Sequence, residues 1–281
     1  MPGTLYVVAT PIGNLEDVTL RALRVMREVS LIAAEDTRRT ARLLQHYSIS
    51  TRTTSLHEHN ERSKTPALIA RLIAGDSIAL VSDAGTPVVS DPGAHLIAAA
   101  HAAGVRVEPV PGPNAALALL SASGLKGNGF VFAGFPPNRA KTRLEWLRSL
   151  ANEPRLVIFY EAPHRIRQTL VDLLTVFGDR LLAIGRELTK VHESLVVRHI
   201  SDHLENLNVE RGEFTLVVEG HAETTGPGVR PSANDLTAEF GELTNTTGLN
   251  RREAIRELAN RHGISAREVF ALLEEVKKSV E

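Results

Sequence analysis

Several short stretches of this chain carry residues whose types and order can hold a small molecule and do transfer or acid–base chemistry. The longest is Ser82-Asp83-Ala84-Gly85-Thr86-Pro87-Val88-Val89-Ser90-Asp91-Pro92-Gly93. It follows an apolar run, Ile78 to Val81, that reads as a buried strand, and precedes an alanine-rich helix that Asp91 can cap and Pro92 can start. In open α/β sheets the space outside the carboxyl end of a strand is where ligands bind. Pro111-Gly112-Pro113-Asn114-Ala115 joins another strand end to a helix N-terminus. Such an end presents free N–H groups and partial positive charge, which suit a carboxylate, a ribose or an adenine edge. Thr10-Pro11-Ile12-Gly13-Asn14 ends the first strand and serves either as a sharp turn or as a backbone wall around a ligand.

Two charged clusters also sit at strand ends: Tyr160-Glu161-Ala162-Pro163-His164-Arg165 and Gly185-Arg186-Glu187-Leu188-Thr189-Lys190. Structural salt bridges among Glu161, Arg165, Arg186 and Glu187 are one reading; acid–base work in a cleft between domains is the other. In Ala34-Glu35-Asp36-Thr37-Arg38, Asp36 reads as a helix cap and Glu35 as an arginine partner. Arg38, Arg39 and Arg42 suit a solvated face as well as a phosphate contact. His57-Glu58-His59-Asn60-Glu61 reads as a polar loop, because its histidines are two apart and H-E-x-x-H is absent. No metal is expected. The dinucleotide pattern G-x-G-x-x-G is absent too.

These residues need a scaffold. The chain has 281 residues, 43% hydrophobic and only 4% aromatic, which fits sheets covered by helices better than a β-sandwich. Without cysteine it has no disulfide or thiolate metal site. The start runs directly into a strand without a leader pattern, and no apolar stretch approaches membrane-spanning length, so a soluble cytoplasmic protein with no membrane partner is expected. A net charge of -1 disfavours indiscriminate coating of nucleic acid but allows a structured RNA met by a local basic patch.

Strand and helix patterns alternate: strands at 5–9, 31–34, 78–81 and 105–110, and helices at about 20–29, 36–46, 63–75, 92–103 and 113–123. Lys126-Gly127-Asn128-Gly129 interrupts them. A second unit follows with strands at 155–160, 181–185, 195–200 and 214–218 and a helix at 163–177; its adjacent strands predict a mixed or antiparallel sheet. Residues 220–233 read as a linker. In the tail, Asn250 caps 251–262, Gly263 stops it, and Ser265 with Glu268 forms a capping box for 266–278. The fold class is α/β, with domains at 1–125 (mostly parallel sheet) and 126–222 (mixed sheet), and a helical extension at 230–281.

Taken in order, TPIGN, AEDTR, SDAGTPVVSDPG, PGPNAALAL, FAGFPP, FYEAPHR, RELTKVHES and GEFTLVVEG closely resemble the bacterial small-subunit ribosomal RNA cytidine 2′-O-methyltransferases, a family within the tetrapyrrole methylase superfamily (class III methyltransferases). The match spans roughly residues 4 to 220. The resemblance implies two α/β domains with S-adenosylmethionine in the cleft between them, a homodimer, and as substrate a cytidine ribose of small-subunit (16S) ribosomal RNA at the decoding centre. It implies donor contacts from Pro11, Asp83, Ala84, Gly85, Val88, Asn114, Ala115, Glu161, Leu188 and Thr215. A ribose hydroxyl is a poor nucleophile and needs a base or acceptor, for which His164, Glu187 and Glu161 are candidates. Lys190, Arg165 and Arg186 are candidates to orient a phosphate or lower a neighbour's pKa. Where wider relatives carry a G-D-P loop this chain has the longer SDAGTPVVSDPG, which favours the RNA branch. The alternatives are a methylase of a tetrapyrrole or other small molecule on the same fold, a non-catalytic RNA-binding module and, more distantly, a helix-turn-helix DNA regulator built on the mixed-charge tail.

Overall fold

Five short strands build the first sheet: β1 (Thr4–Val8), β2 (Leu31–Ala34), β3 (Thr53–Ser55), β4 (Ile78–Val81) and β5 (Arg106–Val110). The computed structural model describes residues 1–207, 211–221, 232–246, 249–262 and 264–278. All five strands are parallel, in the order β3-β2-β4-β1-β5. Every residue of β2 and β4 is buried, as expected of parallel strands covered on both faces. Helices α1 (Leu20–Glu28) and α2 (Thr37–His46) close one face, setting Met26, Leu43 and Leu44 against Ile32 and Val81. Helices α3 (Glu61–Ile73) and α4 (Ala94–Ala102) close the other, with Leu72 and Leu96 against Leu5 and Leu80. Val8 pairs with Val81 and with Val110, so the carboxyl ends of β1, β4 and β5 lie level.

The second sheet holds β6 (Phe130–Phe132), β7 (Leu156–Glu161), β8 (Leu181–Arg186), β9 (Ser194–His199) and β10 (Phe214–Val218), in the order β6-β7-β10-β8-β9. The β6–β7 pair is parallel and the others antiparallel, the mixed sheet the sequence predicts. Phe214 pairs with both Glu161 and Arg186, which brings the two charged clusters to one edge. Helices α6 (Ala140–Leu150), α7 (Ile166–Phe177) and α8 (Ile200–Glu205) lie on one face, where Leu147, Leu170 and Leu173 pack on Phe159 and Leu216. The other face receives α5 (Ala115–Ser123), whose Ala116 and Leu119 pack on Ile158, Ala183 and Val217. Helix α5 leaves the last strand of the first sheet yet buries itself on the second. That packing makes Met1–His221 one compact unit, and compactness divides the chain once, before Ala222.

The unit Ala222–Glu281 contains α9 (Ala233–Thr246), α10 (Arg251–His262) and α11 (Ala266–Lys278) around Leu236, Leu243, Ala254, Leu258, Val269 and Leu273. Asn250 Oδ1 accepts from Arg252 and Glu253 N–H, and Ser265 and Glu268 exchange the two bonds of a capping box. Of the expected linker 220–233, residues 222–231 lie outside the described residues, as does the helix stop expected at Gly263. Among the described residues no helix is long and apolar enough to cross a membrane.

Several local expectations are corrected. Asp91 does not cap α4. The helix starts after Gly93, with no side-chain cap of its own, and Glu61 of α3 caps it from a distance: Leu96 N–H donates to the buried Glu61 Oε1 at 3.0 Å. Helix α3 therefore begins at Glu61, two residues before Ser63, and carries Pro66 inside it. The helices expected from Pro113 and Pro163 begin at Ala115 and Ile166. Helix α6 has no apolar stripe to betray it, because the side chains it buries are Leu147 and Arg143, the latter ion-paired to Asp172 at 2.7 Å. Strand β3, Thr-Thr-Ser, has no apolar run either.

Candidate functional site

The loops leaving β1, β4 and β5 are stitched together by backbone. Thr10 and Gly85 exchange two N–H···O bonds of 2.9 Å, the Thr10 hydroxyl donates to Ser82 O at 3.2 Å, and the Thr86 hydroxyl donates to Pro113 O at 3.1 Å. The β4 loop pays for this shape with strain. Val88 (φ 73°) and Ser90 (φ 69°) lie in the left-handed region, which a β-branched residue rarely enters. Gly93 sits at φ 126°, where an added Cβ would come within 2.6 Å of Leu80 Cδ2. At the end of β5, Asn114 Oδ1 accepts from Leu117 N–H at 3.1 Å and caps α5, leaving the first turn of that helix facing the cleft.

Three carboxylates crowd this edge. Asp83 Oδ1 accepts from Asp36 N–H at 2.8 Å, its Oδ2 lies 3.5 Å from Arg39, and its own N–H donates to Glu35 Oε2 at 3.3 Å. Burial pushes the Asp91 carboxyl up to about 7, with Glu35 adding repulsion and the Ser82 hydroxyl opposing both. Burial also raises Glu35, against the pull of the Asp83 N–H. A positively charged ligand would relieve this crowding.

The second sheet presents side chains instead. Glu161 is buried and fully engaged: by Arg165 Nε at 2.9 Å, by its neighbour's Ala162 N–H at 2.7 Å and by the Thr169 hydroxyl. Lys190 Nζ bridges Glu187 Oε1 at 2.9 Å and Glu213 Oε2 at 3.0 Å, and Glu213 N–H also donates to Glu187 Oε1 at 2.8 Å. Burial alone would raise Glu187, but the bonds from Lys190 and the Glu213 N–H outweigh it and hold its carboxyl below the usual range. Burial likewise opposes the Lys190 charge, and the two carboxylates overcome it, so its pKa is raised. The pair is a fixed cation and a fixed anion at neutral pH. Gly13 lies against this loop so closely that a Cβ there would come within 2.5 Å of Lys190 Cγ, and Asn14 N–H donates to the Thr189 hydroxyl at 2.9 Å.

Two adjoining clefts open between these edges. One, of about 410 Å³, brings together Asp83, Ala84, Gly85, Asn114, Ala115, Glu161 and Thr215 of the residues picked from sequence. The other, of about 400 Å³, takes Pro11 and Lys190 and shares Asp83, Arg39 and Glu213 with the first. The remaining candidates stand elsewhere. Val88 is exposed and lines neither cleft; Leu188 packs in the core against α5; His164 is exposed. Glu187 lies behind Lys190. Arg186 lines a third cleft with Arg198 and His203 and bonds to the carbonyls of His192 and Arg211. Sequence reasoning did not place Asp91, Phe135, Tyr160 or Glu213 at the site. All four fall inside or beside the quoted motifs, and that proximity was the available signal.

The profile of the family described as Tetrapyrrole (Corrin/Porphyrin) Methylases matches residues 4–203. Curated relatives named "Ribosomal RNA small subunit methyltransferase I" include that of Synechocystis sp., 45% identical over 273 residues (96% of this chain, 97% of the relative). That of Halalkalibacterium halodurans is 43% identical over 270 residues (95% and 93%), and that of Xylella fastidiosa 50% over 227 residues (79% and 83%). Among solved structures, diphthine synthase superposes with a TM-score of 0.62 at 15% identity (77% of this chain, 90% of that one). The methyltransferase CobJ superposes at 0.60 with 21% identity (78% and 95%). These two likenesses are of fold.

Proposed function

The chain belongs to the tetrapyrrole (corrin/porphyrin) methylase family, and from that premise we propose that it is a small-subunit ribosomal RNA methyltransferase, carrying a methyl group from S-adenosylmethionine to the ribose 2′-hydroxyl of a cytidine in 16S rRNA. In this reading 1–125 and 126–222 are the two methylase domains, 230–281 is a helical extension, and the protein acts in the cytoplasm as a homodimer on the RNA of the small ribosomal subunit. The observation that carries it is the 410 Å³ cleft, whose residues fit the donor. The start of α5, at Asn114 and Ala115, suits a carboxylate or an adenine edge. The carboxylates of Glu35, Asp83 and Asp91 suit ribose hydroxyls and positive charge, and Ile12, Phe135, Tyr160 and Phe214 supply apolar walls.

When bound, the donor would supply a methyl group on a sulfonium centre: as the 2′-oxygen bonds to the methyl carbon the carbon–sulfur bond breaks, the donor leaves as a neutral thioether, and the hydroxyl proton passes to solvent water. The chain's part is alignment and charge. Ala84, Gly85, Ala115 and Thr215 line the donor cleft from both sheets, and Glu161, locked by Arg165 and Thr169, holds the Ala162–Pro163 wall in place. Lys190 stays protonated and meets the acceptor from the adjoining cleft. Glu187, held ionised, is a positioning residue for that ammonium rather than a strong base.

The test is transfer of labelled methyl to purified small subunits that lack native methylation, followed by nucleoside mass spectrometry. A 2′-O-methylated cytidine is the expected product. Donor binding with no label in RNA would move the protein to the small-molecule methylases.

A further inference from the structure

The second cleft contains an arrangement that donor binding does not explain. It is lined by three cations, Arg39, Arg42 and Lys190, and two carboxylates, Asp83 and Glu213. Both carboxylates are already engaged, Asp83 by Arg39 and the Asp36 N–H, Glu213 by Lys190. Arg42 is exposed, and among the described residues its guanidinium has no ion-pair partner. Arg39 and Arg42 stand three apart on α2, on one face of the helix. Their neighbour Arg38 is turned away from this role, since Asp36 holds its guanidinium by two bonds of 3.0 and 2.7 Å. Lys190 faces them from the second sheet and is kept charged by Glu187 and Glu213. The same cleft is lined by the apolar Pro11, Leu15 and Leu43 and by the hydroxyl-bearing Thr10, Thr40 and Ser82. The cleft opens into the donor site through Asp83, Arg39 and Glu213, so whatever occupies it lies beside the donor.

A cleft that combines apolar side chains, hydroxyls and three cations, one of them uncommitted, suits a ribonucleotide: apolar and hydroxyl groups for the sugar or base, and cations for the phosphate. We propose that Arg39 and Arg42 of α2, with Lys190 opposite, form a clamp for the RNA phosphodiester next to the acceptor ribose. Arg39 lines both clefts, whereas Arg42 and Lys190 line only the second; of these two, Lys190 is committed to Glu187 and Glu213, so Arg42 is the member whose charge is left for the acceptor. The clamp gives the enzyme its grip on RNA within the catalytic unit itself, and it rests on the functional reading above.

The experiment measures methyl transfer to unmethylated small subunits by the full chain carrying Arg42→Ala, Arg42→Lys or Arg42→Glu, with donor affinity by calorimetry on each. Arg42 is exposed, so the variants should fold, and unchanged donor affinity verifies that they have. For Arg42→Ala the expected result is a KM for subunits raised about 5- to 10-fold, and a salt dependence of that KM shallower by about one phosphate contact. Arg42→Glu should be worse and Arg42→Lys close to wild type. An Arg42→Ala protein with the KM and salt slope of an active wild type overturns the clamp alone. So does a loss of donor affinity that accounts for the whole effect, since it would assign Arg42 to the donor site. A wild type that transfers nothing to RNA removes the functional reading, and the clamp with it.

Discussion

The two sheet edges that face the clefts are built in opposite ways. At the first, backbone shapes the site: Gly- and Pro-rich loops cross-bonded at Thr10–Gly85, strained at Val88 and Ser90, with side chains turned to holding the loops in place. At the second, an ion network shapes it: Lys190 between Glu187 and Glu213, and Glu161 locked by Arg165. The first edge is fixed by conformational strain and the second by charge. Changes to the loops of the first edge should therefore act on donor affinity and stability together, and changes to the Lys190 network of the second on turnover.

The largest effect should come from Gly93→Val. A β-branched residue at φ 126°, with its Cβ 2.6 Å from Leu80 Cδ2, should destabilise the unit by roughly 2–4 kcal/mol in urea unfolding and weaken donor binding with it. A wild-type unfolding midpoint would show that the loop does not require this backbone. Next, Lys190→Ala and Glu187→Gln should each lower turnover roughly 10- to 100-fold through misplaced acceptor groups. Donor affinity should hold. The double variant should be no worse than Lys190→Ala, because Glu187 acts through the lysine. Additive losses would give Glu187 a task of its own.

A smaller effect concerns pH. The donor's positive charge favours ionised Asp91, so binding should release its proton, and donor affinity should climb as pH rises and level off above about 7. Calorimetry of Asp91→Asn should show that climb flattened; a retained climb would exclude Asp91 as its source. The same group acts oppositely on stability. Its folded pKa lies above the ordinary 3.8, so its favourable contribution is complete below the unfolded value and is lost as pH rises through about 7. The smallest effect should be Asn114→Ala. Losing the α5 cap should cost about 1 kcal/mol of stability, with a modest loss of donor affinity because the helix start lines the cleft. A loss of turnover alone would contradict the division between the edges.

The loops were legible in the sequence for the reason that makes them rigid. Ser82 to Gly93 and Pro111 to Asn114 need glycine, proline and asparagine to take their shapes, and those residues announce a loop at a strand end. The ion network was half legible. Glu187 and Lys190 are three residues apart and readable as a pair, whereas Glu213 reaches Lys190 only because β10 runs beside β8. Asp91 was misread for a related reason. An aspartate just before a helix is a good local cap, yet Glu61, thirty-five positions from Leu96, does the capping and leaves Asp91 in the cleft.

By itself, then, the sequence determined the alternation of strands and helices, the parallel and mixed character of the two sheets, and the loops that end their strands. Those features depend on hydrophobic period and on backbone preference within a few residues. Only the tertiary structure decided that α5 belongs to the second sheet, that Arg39 and Arg42 share a cleft with Lys190, and that Asp91 lies among other carboxylates and holds its proton up to about pH 7. Each of these depends on distances between residues far apart in the chain, and neither local propensity nor composition encodes a distance.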